Sequence, residues 1–255
     1  MARVERSKVG RFARAALMAA ACALVATGAL ATHSGAQAAE GKLRVWVHGL
    51  RNGGIVPHQY AFCVARKEGH TGPGPDISPA ISWSKGPAGT KSYAIILFDS
   101  DVPSIRENMN KEGVTVAASI PRMDFYHWIL VDIPANVHGL KKGEDSEKRV
   151  VHGKPQNGAK VGLRGLNDYS KFTKGNPNLA GDYYGYDGPC PPWNDEIPHH
   201  YHFTVYALSV PTLGLSGPFT GQEALAAMEG KVLAKGALVG LYAQNPAVIE
   251  KLRHK

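Results

Sequence analysis

Several things are missing from this sequence, and each absence narrows what the chain can be. Cysteine occurs three times in 255 residues, at Cys22, Cys63 and Cys190, never as the close pair that a zinc site uses. No His-Glu-x-x-His run stands in for such a pair, so the histidines lack the usual metal signature. No Gly-x-Ser-x-Gly elbow is present, which leaves a serine hydrolase without an identifiable nucleophile. Internal repeats, heptads and a low-complexity tail are all lacking. The one marked apolar run, Ala15 to Ala31, is short and alanine-rich, a poor membrane anchor.

That run does fit a leader. Arg3, Arg6, Lys8, Arg11 and Arg14 precede it and Ala36-Gln37-Ala38 follows, the basic, apolar, small-residue order of a secretory signal peptide. Residues 1–38 are therefore read as a signal peptide cleaved after Ala38, and residues 39–255 as one domain in the periplasm or secreted. Cys22 lacks the bulky aliphatic residue three positions earlier that lipidation calls for. The net charge of +8 then shrinks, because five basic residues and Glu5 lie in the leader, leaving +4. No Lys/Arg stripe with interleaved aromatics remains, so nucleic acid is excluded as a partner on charge grounds. Of the surviving cysteines, Cys63 and Cys190 are either disulfide-linked in an oxidising compartment or two buried thiols.

Apolar runs rich in β-branched and aromatic residues predict buried strands over Ser92 to Phe98, His127 to Ile133 and Phe203 to Val210. Leu43 to His48 and Val232 to Tyr242 are further candidates, the second interrupted by Gly236 and Gly240. Only Thr220 to Glu229 reads as a helix, with Thr220 and Glu223 as a capping box and Gly230 as the stop. Residues 66–80 and 134–198 read as long loops, which in a compact domain are usually binding surfaces. The fold class expected is mostly β, an antiparallel sandwich with a few peripheral helices.

Chemistry concentrates in three places. Asp99 and Asp101 face one side of an extended chain, about 6.6 Å apart, as a carboxylate pair or as simple turn chemistry. His127 opens an aromatic strand, where a hydrogen-bonded core histidine is the plain alternative to a functional one. Gly188-Pro189-Cys190-Pro191-Pro192 is a proline-stiffened loop leading to His199-His200-Tyr201, where alternation puts His199 and Tyr201 on one face, His200 and His202 on the other.

In this order the motifs Asp99-Ser100-Asp101-Val102-Pro103, His127-Trp128, Gly188-Pro189-Cys190-Pro191-Pro192 and His199-His200-Tyr201 resemble those of the phosphatidylethanolamine-binding proteins, also called Raf kinase inhibitor protein-like, in their bacterial branch. Ser78 to Trp83, Gly89 to Tyr93, Asn167-Asp168-Tyr169 and Gly230 to Ala234 resemble family segments too, so the likeness covers nearly all of 39–255. It implies a large antiparallel sandwich with a smaller sheet, and an anion pocket formed by Asp99, Asp101, His127, His199, Tyr201 and the loop residues Gly188, Pro189, Cys190 and Pro191. The expected function is non-enzymatic binding of a small phosphate-bearing ligand such as a phospholipid head group. The alternative is inhibition or regulation of a protease or kinase by protein–protein binding. Neither cofactor nor metal is implied, and the oligomeric state, a homodimer included, stays open. The chain departs from the family at Ser100, where proline is usual, and at His200, where arginine is usual. A histidine there is expected to make anion affinity fall with rising pH. The stretch Ile105 to Asp124 is longer than expected and is a candidate lid.

Overall fold

The computed structural model describes residues 41–254; the leader and Cys22 lie outside the described residues. In chain order these residues form β1 (Gly41–Lys42), β2 (Val45–Val47), β3 (Gly54–Ile55), β4 (Cys63–Ala65), β5 (Thr71–Pro73) and β6 (Ile81–Trp83). The long hairpin β7 (Ser92–Pro103) and β8 (Arg122–Pro134) follows, then β9 (Gly139–Leu140), β10 (Leu163–Arg164) and the one-turn α1 (Tyr169–Phe172). Last come β11 (His199–Leu208), α2 (Gly221–Met228), β12 (Val232–Tyr242) and α3 (Pro246–Arg253). The fold is mostly β with few helices. The main sheet runs β1-β12-β11-β7-β8-β10, with β3 also on β12; β2-β6-β9 and β4-β5 form two smaller sheets.

The continuous apolar run of β7 follows from cover on both faces. Tyr93, Ile95 and Leu97 pack with Val47, Ile81, Trp83 and Leu140 of the three-stranded sheet. Ala94 and Ile96 pack with Phe219 and with Ala224 and Met228 of α2. A strand buried on both sides has no polar face and hence no alternation.

The expected strands exist but run longer. β7 extends five residues past Phe98 and β8 starts five before His127, because register shifts in the hairpin absorb the polar residues there without ending the ladder. Gly236 and Gly240 do not interrupt β12. A side chain at Gly236 would collide with the Leu43 carbonyl, so the glycine is what admits the parallel neighbour. Thr220 and Glu223 form the capping box on α2. A second helix of equal length, α3, was not expected. Asn245 caps it by accepting from the Ala247 N–H, and Pro246 occupies its first turn.

Candidate ligand-binding site

Where β7, β8 and β11 end side by side, register sets the site. Tyr201 lies directly across from Asp99, and Asp99 across from Phe125. Opposite the Leu97–Phe98 step the partners jump from Trp128 to Tyr126, so His127 is the extra residue of a β-bulge. A bulge re-aims its residue; here the ring packs against Tyr201 and Phe125, with centroids 5.3 and 4.9 Å away. The backbone of Asp187 then pins His127 twice. The Asp187 N–H donates to the His127 carbonyl at 3.0 Å, and its carbonyl accepts from His127 Nδ1 at 2.8 Å.

A cavity of about 30 Å³ opens between these groups, room for a polar tip rather than a whole ligand. Asp99, His127, Tyr169 and Tyr201 supply its polar side, and Val102, Phe125 and Pro191 are among its apolar walls. Met109, Phe172 and Cys190, the lining residues that touch solvent, make the rim. The Tyr201 hydroxyl is buried without a hydrogen-bond partner, close to the Asp99 carboxylate.

His199 lies behind the cavity rather than in its lining. Its Nδ1 is 2.7 Å from Asp99 Oδ2 and its Nε2 is 3.2 Å from Asp195 Oδ2. Arg122 holds Asp195 through both terminal nitrogens, at 2.6 and 3.2 Å. Burial opposes a charge on His199, but the two carboxylates outweigh it and raise the imidazole to about 9. Burial would likewise raise Asp99, yet charged His199 and its hydrogen bond hold that carboxylate below its ordinary value. His127 goes the other way: burial prevails over the nearby Asp99 and pushes it down to about 4. The two histidines therefore sit in opposite charge states at neutral pH.

Not every candidate residue reaches the cavity. Asp101 does not face the same way as Asp99. Its N–H donates to Asp99 Oδ1 at 2.9 Å, an Asx-type turn within a second hairpin irregularity. Its carboxylate accepts from Ser100 Oγ and the His200 N–H on the outer face, and lies 2.9 Å from His200 Nδ1. His200 thus points away, and the pH lever expected from it has no place in the cavity. His202 is on that outer face as well, stacked on Phe98 at 4.6 Å and 3.1 Å from Ser100 Oγ. Cys190 and Pro191 line the cavity; Gly188 and Pro189 support them from behind. The Gly188 N–H donates to buried Asp76 at 2.7 Å, and a side chain at Gly188 would overlap the Tyr60 carbonyl. The Pro189 carbonyl accepts from the N–H groups of Phe62 and Cys63. Cys63 and Cys190 are joined as a disulfide, Cα atoms 4.8 Å apart.

Residues that sequence patterns did not single out complete the site. Arg122 and Asp195 fix His199, yet neither belongs to a motif, and Asp195 sits in a stretch that reads as loop. Behind Asp187, Lys154 donates to its carboxylate at 2.6 Å and lies 3.7 Å from Asp76. Burial and the charge of Asp187 push Asp76 well up. The 105–124 stretch folds onto the 190–195 loop. Asn194 Nδ2 donates to the carbonyls of Asn108 and Val114 at 2.7 and 2.8 Å, and Asn194 Oδ1 accepts from the Asn110 N–H at 2.8 Å. That anchoring is what brings Met109 to the rim. Among the described residues no group of three or more His, Cys, Asp or Glu side chains is arranged to hold a metal ion, and no helix is long and apolar enough to cross a membrane.

Comparison with known proteins gives a matching family, two relatives and a solved structure of the same fold. The family model described as phosphatidylethanolamine-binding protein matches residues 47–243. A UPF0098 protein of Aquifex aeolicus is 30% identical over 203 residues, covering 80% of this chain and 90% of that one. Another from Methanothermobacter thermautotrophicus is 30% identical over 195 residues, covering 76% and 95%. The crystal structure of Escherichia coli YbcL, described as a member of the mammalian PEBP family, shares the fold at a TM-score of 0.56 and 24% identity, covering 80% of this chain and 99% of that one.

Proposed function

The chain belongs to the phosphatidylethanolamine-binding protein family, and from that premise we propose that it binds, without chemical turnover, a small phosphate-bearing ligand such as a phospholipid head group or a similar anion. The carrying observation is the buried Tyr201 hydroxyl, unpartnered, in one small cavity with His127 and Asp99. A buried hydroxyl left without a partner costs about 1–3 kcal/mol, and a ligand oxygen removes that cost. Commitment of the other polar groups supports binding over catalysis. Both ring nitrogens of His199 face carboxylates, and Ser100, the serine beside Asp99, points to the outer face. Export to the periplasm or beyond is supported by the Cys63–Cys190 disulfide, which persists in oxidising compartments. The packing of the small sheet on one face of β7 supports the sandwich description.

Calorimetric titration with phosphoethanolamine tests the reading. Wild type is expected to bind, His127→Ala to weaken binding at least tenfold by removing a cavity wall, and His199→Ala to weaken it by releasing Asp99. Equal affinities in all three proteins would sink it.

A further inference from the structure

Resting on that phosphate reading, we propose that the cavity selects a phosphoryl group that still carries a proton, the monoanion of a phosphomonoester, over a phosphodiester or a dianion. The argument is a count of hydrogen-bonding groups left over once the protein has satisfied its own. His127 Nδ1 faces a carbonyl, which only accepts, so the proton is on Nδ1 and neutral His127 turns a bare Nε2 lone pair to the cavity. Asp99 adds a second acceptor, a carboxylate whose oxygens take one bond each from His199 and the Asp101 N–H. Against these two acceptors stands the Tyr201 hydroxyl as donor. The loop adds little. Prolines have no N–H and the Gly188 N–H is spent on Asp76, leaving at most that of Cys190.

Charge gives the same answer. The buried cations nearest the cavity are already matched: His199 lies between Asp99 and Asp195, Arg122 holds Asp195, and Lys154 holds Asp187. Arg106 lies over the Phe172 ring at the rim, but it is exposed and its charge is screened by water. A dianion would meet the Asp99 carboxylate with no buried cation in compensation. A diester accepts from Tyr201 but sets bare oxygens against the lone pairs of His127 and Asp99. A monoester monoanion accepts through one oxygen and donates its P–OH to an acceptor, so it satisfies both sides.

His127 does not supply the missing proton near neutral pH. Burial, opposed by Asp99 from β7 and reinforced by His199 from β11, keeps it neutral down to about pH 4. Tyr201 on β11 and Tyr169 on α1, the other titratable groups packed on the ring, are both raised well above their ordinary range, by burial first and by neighbouring aspartates second. Asp187, which faces the ring through its backbone, has its carboxylate turned to Lys154 and Asn167. The ligand must bring the proton, and its own second pKa, about 6, sets the pH range.

Titration calorimetry of the full domain with methyl phosphate and dimethyl phosphate, at pH 5.5 and 7.5, tests this. Methyl phosphate is expected to bind roughly 25-fold more weakly at pH 7.5, the fall in its monoanion fraction for a second pKa of about 6. Dimethyl phosphate is expected to bind at least tenfold more weakly than methyl phosphate at pH 5.5, with no pH trend. His127→Gln, which presents an amide N–H in place of the lone pair, should narrow the gap between the two. Similar affinities for both at both pH values would overturn the selection and leave phosphate binding standing; no binding of either would overturn both. Dihexanoyl phosphatidic acid, a lipid monoester, in competition with methyl phosphate distinguishes a lipid from a free phosphate as the source of the group. Preference for either supports the proton-bearing monoester.

Discussion

His127 and His199 lie on opposite sides of Asp99 and resolve the same conflict in opposite ways. Each is buried, which favours the neutral ring. Only His199 has two carboxylates within hydrogen-bond distance, and only His199 keeps its proton. The stability consequence has opposite signs. With a folded pKa of about 9 against about 6.5 unfolded, His199 contributes fully below pH 6.5, and its contribution is lost as pH rises to about 9. With a folded value of about 4, His127 contributes above pH 6.5 and loses its contribution as pH falls toward 4. Each shift corresponds to roughly 3 kcal/mol at most. Urea unfolding of wild type and His199→Gln should therefore converge from pH 6.5 to 9, and wild type and His127→Gln from pH 6.5 to 4. Parallel curves in either comparison would contradict the assigned charge states.

At the scale of elements, what governs the site is how strands end. The hairpin of β7 and β8 is irregular at three places, and two of them fall at the site, one carrying His127 and the other the Asp99–Val102 turn. Both give the cavity a side chain that regular alternation would have aimed elsewhere. This is also where the site ceases to be legible in the sequence. The residues of Asp99, His127, His199 and Tyr201 stand out by type and by order along the chain, and alternation correctly separates Tyr201 from His200. A bulge depends on the partner strand, though, and nothing local to Asp101 says that its carboxylate turns outward. The Thr220–Glu223 box was legible because it is complete within four residues. The Asn245–Pro246 start of α3 is as local a signal, but eight residues of helix give too little periodicity to accompany it. The insertion over 105–124 is held by several contacts, among them the Val116–Asp195 bridge and the bond from Arg122 to the Ala117 carbonyl. Asn194 adds a cluster of side-chain bonds to it. Asn194→Ala removes its donor to two carbonyls and its acceptor for the Asn110 N–H, so a loss of about 2 kcal/mol is expected. Hydrogen exchange should accelerate across residues 108–116; unchanged protection there would mean that the other contacts hold the insertion without Asn194.

Across the whole molecule, the parts of the site are joined over long stretches of chain. The disulfide links residues 127 positions apart and ties the loop at the cavity to β4. The loop-entropy account gives such a link about 5 kcal/mol. A double variant, Cys63→Ser with Cys190→Ser, should lose about that much on thermal or urea unfolding. Below its new midpoint it should bind methyl phosphate within about threefold of wild type, because the bonds to Gly188, Pro189 and Pro191 still hold the loop. Lost binding in a folded double variant would show that the disulfide itself shapes the cavity.

The position of β11 in the main sheet has a consequence for how the chain must be made. It is bonded to β7 on one side and to β12 on the other, yet His199 comes 100 residues after the Asp99 it meets. Synthesis proceeds from the N-terminus, so β7 and β8 emerge and pair while the far edge of β7, with Ala94, Ile96 and the alternate Ile95 and Leu97, is still waiting. An apolar strand with an open edge is a template for mispairing with another chain. The period between the emergence of residue 103 and that of residue 208 is thus when the nascent protein is most exposed to aggregation, and mutations that slow release of the later half should show as poor yield even where the finished protein is stable.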